Sequence, residues 1–491
     1  MSESIDDINA PSLLDPEDWQ AFRETAHRAL DVALDFVQER PDQPVWQEIP
    51  DKNKALDDPL PLKGSSLTSV VGEIQERVLP FTLGNTHPRF WGWVHGSGTA
   101  GGLVSQILMA AINANMGGRD HAPMYIERQV IRWMCELYGF PESATGIICT
   151  GTSTATLLGL SVARQRKLGP EVRSEGYRAG KHLVAYTSAE SHVSVSKAME
   201  LMGLGSDALR AVPVCENFTL DCALLEKMIV DDIAAGLMPF AVVSTLGTVN
   251  TGALDDVVAI SQICRQQGVW HHIDGAFGAL GMLSESLRPR LLGISEADSI
   301  AFDFHKWMHV AYAAGCLLVR DGELHRQTFQ ASPAYLQSET QGLAAGAPWP
   351  SDYGIELSRG FSALGVWFQL KEMGVQRLGK AIYRNCLQAK WLGDAVERDD
   401  TLELMAPVSL NIVCFRRLAE HLSVEELNQL NKRIVVELQV RGIAVPSATV
   451  LHGRSAIRVC ITNHRTRRSD LEVLHRAVGE IAEELLSAAI P

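Results

Sequence analysis

A chain of 491 residues is too long for one small core, so two or three domains, one of them large, are expected. With 46% hydrophobic residues and a mean hydropathy near zero, its composition is that of an ordinary globular protein. The net charge of −14, with no basic run, argues against nucleic acid or an anionic membrane as the main partner.

Nine cysteines, odd in number and never in a Cys-x-x-Cys pair, predict reduced thiols in a cytoplasmic protein, with neither a disulfide framework nor a metal site. The opening Met1-Ser-Glu-Ser-Ile-Asp-Asp7 is acidic and lacks the apolar stretch of a secretory signal. Residues 1–85 read as a helical arm. Asp15-Pro-Glu-Asp18 opens a helix, Phe22, Ala26, Ala29, Leu30, Ala33 and Phe36 recur at helical spacing, and Arg40-Pro-Asp-Gln-Pro44 ends it. An arm with so little core of its own is expected to lay its apolar stripe on a neighbouring subunit. Phe90 to Gly118 carries no Asp, Glu, Lys or Arg, which raises the question of a membrane span. Its His95, Ser97, Thr99, Ser105, Gln106, Asn113 and Asn115 would lack partners in lipid, so a helix buried in a protein interface is expected instead.

From 86 to 360, strands and helices alternate. Gly146–Cys149, His182–Tyr186, Phe240–Ser244, Trp270–Ile273, Ser299–Phe302 and Gly315–Val319 are apolar runs of strand length, and a helix is expected from Ser153 to Lys167. That pattern predicts an α/β fold, a mostly parallel sheet covered on both faces, with ligands beyond the strand C-termini. Residues 361–491 read as a small α+β domain: a helix near 361–398, a strand near Leu410–Phe415, a helix over 423–440, a strand over Ala456–Ile461 and a last helix from Ser469.

Two strand ends carry the chemistry. Asp274 follows the apolar run ending at Ile273, and Lys306 stands in Asp303-Phe-His-Lys-Trp307 after the run ending at Phe302. A lysine there could form a Schiff base with pyridoxal 5'-phosphate, since an amine buried near cations is an activated nucleophile. The acid would hold the cofactor's ring nitrogen protonated. Thr150-Gly151-Thr152-Ser153-Thr154, between strand and helix, is a candidate phosphate site, although many capped helices share its composition. His192 could stack on the ring opposite the small Ala276.

In combination these blocks resemble the group II pyridoxal-phosphate decarboxylases, the family of aromatic-L-amino-acid, histidine, glutamate and cysteine-sulfinate decarboxylases. The resemblance rests on His87-Pro-Arg-Phe90, Pro123 through Glu127, Thr150 through Ala155, Ser191-His192, Thr245-Leu-Gly-Thr248, His272 through Ala276, Asp303 through Trp307, Leu357-Ser-Arg359, Ile457-Arg-Val459 and Asn463-His-Arg-Thr466. It implies fold-type I, with a seven-stranded type of sheet, a homodimer wrapped by the N-terminal arm, and catalysis by Lys306, Asp274 and His192. It also implies that Gly151, Thr152, Ser153, Thr248, Ala276, Asp303 and His305 contact the cofactor. The implied activity is α-decarboxylation of an L-amino acid. Trp91 and Trp93 favour an aromatic or apolar substrate, Arg89 could receive an acidic one, and Tyr353 and Arg359 complete the candidate substrate set. Val249 stands where the family often has a threonine. Pro350 falls nearest the position of a loop tyrosine that returns the Cα proton in aromatic decarboxylases, which leaves oxidative decarboxylation to an aldehyde open. An aminotransferase or carbon–carbon lyase would need a carboxylate clamp, for which Arg458 is the candidate. A silent scaffold is disfavoured by the presence of both Lys306 and Asp274.

Overall fold

The computed structural model describes residues 14–50, 56–177, 182–331 and 338–488. Its residues fall into two compact units, Met1–Gly84 and Asn85–Pro491. In the first, α1 (Trp19–Glu39) is capped by Asp18, whose carboxylate accepts the N–H groups of Gln20 and Ala21 at 2.9 and 3.0 Å. Pro41 follows its last turn, and α2 (Leu67–Arg77) is capped by Ser66. Neither helix buries a residue, as expected of an arm without a core.

The second unit is built on a seven-stranded sheet, in the order β1-β7-β6-β5-β4-β2-β3. Its strands are β1 (Thr145–Cys149), β2 (Leu183–Ser188), β3 (Leu209–Val212), β4 (Met238–Thr245), β5 (Trp270–Asp274), β6 (Ser299–Asp303) and β7 (Gly315–Val319). β3, β2, β4, β5 and β6 run parallel, and β7 pairs antiparallel with both β6 and β1. The strands of the sheet centre are buried on both faces, which is why they read as unbroken apolar runs rather than as alternation. A smaller sheet, ordered β10-β11-β9-β8, is wholly antiparallel: β8 (Leu402–Leu404), β9 (Ile412–Arg417), β10 (Ser447–Leu451) and β11 (Arg454–Cys460).

The expected strands are all present. β3, β8 and β10 were not anticipated: β3 and β8 are edge strands of three or four residues, and β10 alternates buried and exposed positions at the other edge of the small sheet. The charge-free stretch 90–118 yields only a 13-residue helix, α3 (Ala100–Ile112), ended by Asn113 in the left-handed region. Among the described residues no helix is long and apolar enough to cross a membrane. Two further helices flank β1 in the chain: α4 (Ala122–Tyr138) precedes it and α5 (Thr152–Leu168) starts directly after it.

Candidate active site

Parallel pairing places Asp274 opposite Ala301, so β5 and β6 end side by side and their terminal acids, Asp274 and Asp303, leave the sheet on one edge. The chain after β6 turns tightly, with Lys306 N–H on the Asp303 carbonyl at 3.2 Å, and this returns the lysine over the strand ends. Lys306 Nζ lies 3.0 Å from Asp303 Oδ2. The lysine is therefore held by a carboxylate, whereas the sequence reading had placed it among cations. The other oxygen of Asp303 accepts the N–H of Thr152 at 2.7 Å, at the first turn of α5. Two segments remote in sequence, the start of α5 and the turn after β6, thus meet at one carboxylate. Gly96 packs on the same turn: any Cβ there would collide with the His305 carbonyl.

A cavity of about 230 Å³ opens above these groups, lined by Thr152, Ser153, His192, Asp274, Ala276, Asp303 and Lys306 together with Trp93, Val94, Ser194, Thr245, Gly247, Val249 and Phe277. Asp274 is buried, and the one hydrogen bond to its carboxylate among the described residues comes from the Ala276 N–H at 3.1 Å. Burial pushes its carboxyl up; Lys306, that N–H and His192 pull the other way. His192 is exposed, and partial desolvation, helped by Lys306 and Lys197, lowers it against the pull of Asp274 and Asp303.

Pyridoxal 5'-phosphate fits this donor set. Asp274 is a buried acid short of a counter-charge, as a protonated ring nitrogen would supply. The hydroxyls of Thr152 and Thr245 are buried without a hydrogen-bond partner on the same cavity. The N-terminus of α5 offers backbone N–H groups to a phosphate.

Three residues expected to contact the cofactor, Thr248, Gly151 and His305, are not among the lining residues of the cavity. Thr248 does not line the cavity: its hydroxyl lies 3.0 Å from Thr251 Oγ1 and accepts the Ala253 N–H, closing its own loop. Thr245, three residues earlier, presents the free hydroxyl; the Thr-Leu-Gly-Thr block was the signal, and strand direction decided which threonine faces in. Gly151 and His305 also lie outside the cavity lining. The His305 ring accepts the Ala314 N–H on Nδ1 at 3.1 Å, lies 4.3 Å from the Tyr312 ring at a tilt of 38°, and turns Nε2 toward Asp303 Oδ2 at 3.7 Å.

The pyridoxal-dependent decarboxylase conserved domain matches residues 50–418, three quarters of the chain. The chain belongs to this family. It is a pyridoxal-phosphate-dependent amino-acid decarboxylase, in agreement with a 30% identity over 477 residues to the aromatic-L-amino-acid decarboxylase of Bacillus atrophaeus, covering 95% of this chain and 96% of that protein. Among solved structures it is similar to the glutamate decarboxylase domain of a diaminobutyrate-pyruvate transaminase and L-2,4-diaminobutyrate decarboxylase from Vibrio parahaemolyticus. The TM-score is 0.84 at 28% identity, over 96% of this chain and 97% of that one. Its fold is also that of Oryza sativa TDC with PLP and tryptamine, with a TM-score of 0.88 at 24% identity over 96% and 99% of the two chains.

The decarboxylase does not gather all of its expected substrate residues. Trp93 lines the cavity, held at φ 50°. Trp91 does not. Phe90 bridges Val445, and Trp91 exchanges backbone bonds with Val445 and Cys460, so residues 89–91 thread into the small sheet and bury Trp91 in its core. Its indole N–H donates to Thr466. Arg89 lies on the same segment, outside the cavity lining. Arg359 is buried in an ion pair with Glu127 at 2.8 Å and bonds the carbonyls of Ile148 and Met116. Tyr353 packs on His325 and borders a different cavity of about 490 Å³. Pro350 borders that second cavity as well, and Tyr335 lies outside the described residues. Arg458 is spent on structure: its guanidinium donates to the carbonyls of Val249, Asn250 and Trp93 at 2.8, 3.1 and 3.0 Å and to Ser447 Oγ at 3.1 Å. A clamp committed to backbone in this way does not serve an aminotransferase.

Proposed function

We propose that the decarboxylase removes the α-carboxylate of an L-amino acid with an aromatic or apolar side chain, using Lys306, Asp274 and His192 as catalytic residues. One observation carries the substrate class: the part of the cavity not taken by polar groups is walled by Trp93, Val94, Val249 and Phe277, and Lys306 is the one Lys or Arg among its lining residues. An acidic side chain would find no second cation there.

Bound pyridoxal phosphate supplies a carbonyl for amines and a sink for the electron pair that CO2 leaves behind. The chain's part is to hold and orient. Lys306 Nζ anchors the cofactor, and Asp274 pairs with its ring nitrogen. Thr152, Ser153 and the start of α5 take the phosphate, with Asp303 bracing both Thr152 and Lys306. His192 and Ala276 flank the ring. Val94, Val249 and Phe277 keep water from the substrate carboxylate, which weakens its solvation and favours its loss.

The same reading makes the enzyme a homodimer. α3 leaves Val104, Ile107, Leu108 and Ile112 exposed in one stripe, and the arm leaves Trp19 and Phe22 exposed. Residues 1–85 serve as the dimerisation arm, 86–360 as the cofactor domain and 361–491 as the small domain. Nine unpaired cysteines support a reducing, cytoplasmic setting.

The test is CO2 release from cofactor-loaded protein across the common amino acids plus DOPA, 5-hydroxytryptophan and cysteine sulfinate, with peroxide and ammonia recorded together. Fastest release from aromatic or apolar substrates, with an amine as product, is the expected result. Preference for glutamate, cysteine sulfinate or diaminobutyrate would overturn the substrate class. Stoichiometric peroxide and ammonia would replace the amine with an aldehyde.

A further inference from the structure

His192 lines the cavity, and what it can do there depends on which nitrogen carries the proton. Its Nδ1 is turned back toward the helix Ser194–Leu201. There Nδ1 lies 3.2 Å from the backbone N of Ser194 and 2.9 Å from the Ser194 hydroxyl, itself buried. A backbone N–H can only donate. Nδ1 must therefore present its lone pair, and the proton of a neutral ring falls on Nε2. Among the described residues no protein group bonds that nitrogen.

We propose that Ser194 is a positioning residue that locks His192 into the tautomer protonated on Nε2, so that the ring faces the reaction space as a hydrogen-bond donor. This rests on the reading of the cavity as the reaction site. The tautomer matters for the neutral ring, the form toward which its surroundings push it. Desolvation and the positive charges of Lys306, beyond β6, and Lys197, on the helix of Ser194, outweigh the carboxylates of Asp274 at the end of β5 and Asp303 at the end of β6. The positive end of the helix that begins at Ser194 acts in the same sense. With Nε2–H presented, His192 suits an anionic oxygen, such as a substrate carboxylate, and cannot accept a proton at that nitrogen. The Ser194 hydroxyl adds a second donor to Nδ1, which stabilises the neutral ring and fixes its plane. The motif is short, His-x-Ser at a helix start, and nothing in its composition distinguishes it from a cap until the ring is seen facing the cavity.

The experiment is long-range proton–nitrogen NMR on histidine-labelled holoenzyme, with the His192 signal assigned by its loss in His192→Asn. The expected spectrum has a protonated Nε2 and a bare Nδ1. In Ser194→Ala the ring's titration midpoint is expected to rise by about half to one pH unit, because a donor favouring the neutral form is lost. Ser194→Thr, which keeps the hydroxyl, should restore it. A bare Nε2 in the wild type, or an unshifted midpoint in Ser194→Ala, overturns the proposal. The reading beneath it fails separately: if His192→Ala releases CO2 at the wild-type rate, His192 does not act at the reaction site whichever tautomer the spectra report.

Discussion

Replacing Arg458 with glutamine separates a structural rivet from a substrate clamp. The buried guanidinium ties together the carbonyls of Val249 and Trp93, two lining residues of the cavity, through bonds of 2.8 and 3.0 Å, and adds Asn250 and Ser447. A hydrogen bond from a charged donor contributes about 1.5–3 kcal/mol. Glutamine can reach one carbonyl, so three of the four acceptors lose their donor, a gross loss of about 4.5–9 kcal/mol. Val249 and Asn250 are only partly buried and Trp93 is exposed, so water restores part of this, and a net loss of about 2–3 kcal/mol is expected in urea denaturation. The cofactor's visible absorbance should survive, while kcat/KM for an aromatic substrate falls about tenfold as the wall loosens. The reasoning is refuted if stability stays within about 0.5 kcal/mol of wild type while affinity for every amino acid collapses, the signature of a carboxylate clamp.

Lys306→Ala is expected to abolish the visible band of lysine-bound cofactor, read in an absorbance spectrum. Asp274→Ala should retain some cofactor but lower CO2 release about a thousandfold, since the charge opposite the ring nitrogen is lost; near-normal turnover would remove its role. Trp91→Ala should cost about 3–5 kcal/mol of stability, having emptied a site in the small core, whereas Trp93→Ala should leave stability nearly unchanged and raise KM for aromatic substrates. Asp255 accepts the N–H groups of Leu220 and Thr245 on its two oxygens at 2.8 and 2.7 Å, and Asp255→Asn, which turns one acceptor into a donor, should cost about 1–3 kcal/mol. Burial pushes the Asp255 carboxyl up to about 6. Its folded value lies above the unfolded one, so wild-type stability should fall as pH rises from about 4 to about 6, and this slope should vanish in the asparagine variant.

The strands that form the sheet centre were legible because burial on both faces demands unbroken apolar runs, and β5 and β6 carry them into the acids that end them. Lys306 and Asp274 were legible for the same reason: each follows such a run within a few residues, where ligands of a parallel sheet collect. The short strands β3, β8 and β10 were not, because edge positions relax the hydrophobic requirement.

Side-chain direction was beyond the sequence. Trp91 and Trp93 are two residues apart, yet Trp91 pairs into the small sheet while Trp93, at φ 50°, turns to the cavity. Thr245 and Thr248 share one block, and loop closure takes the second hydroxyl. Sequence by itself determined the fold class, the cofactor and the pair of residues at the strand ends, because those follow from local composition and chain order. Tertiary structure alone decided that Asp303 joins the start of α5 to the turn of Lys306 and that Arg458 is tied to the backbone of Val249 and Trp93, because each depends on which distant segment packing brings within hydrogen-bond reach.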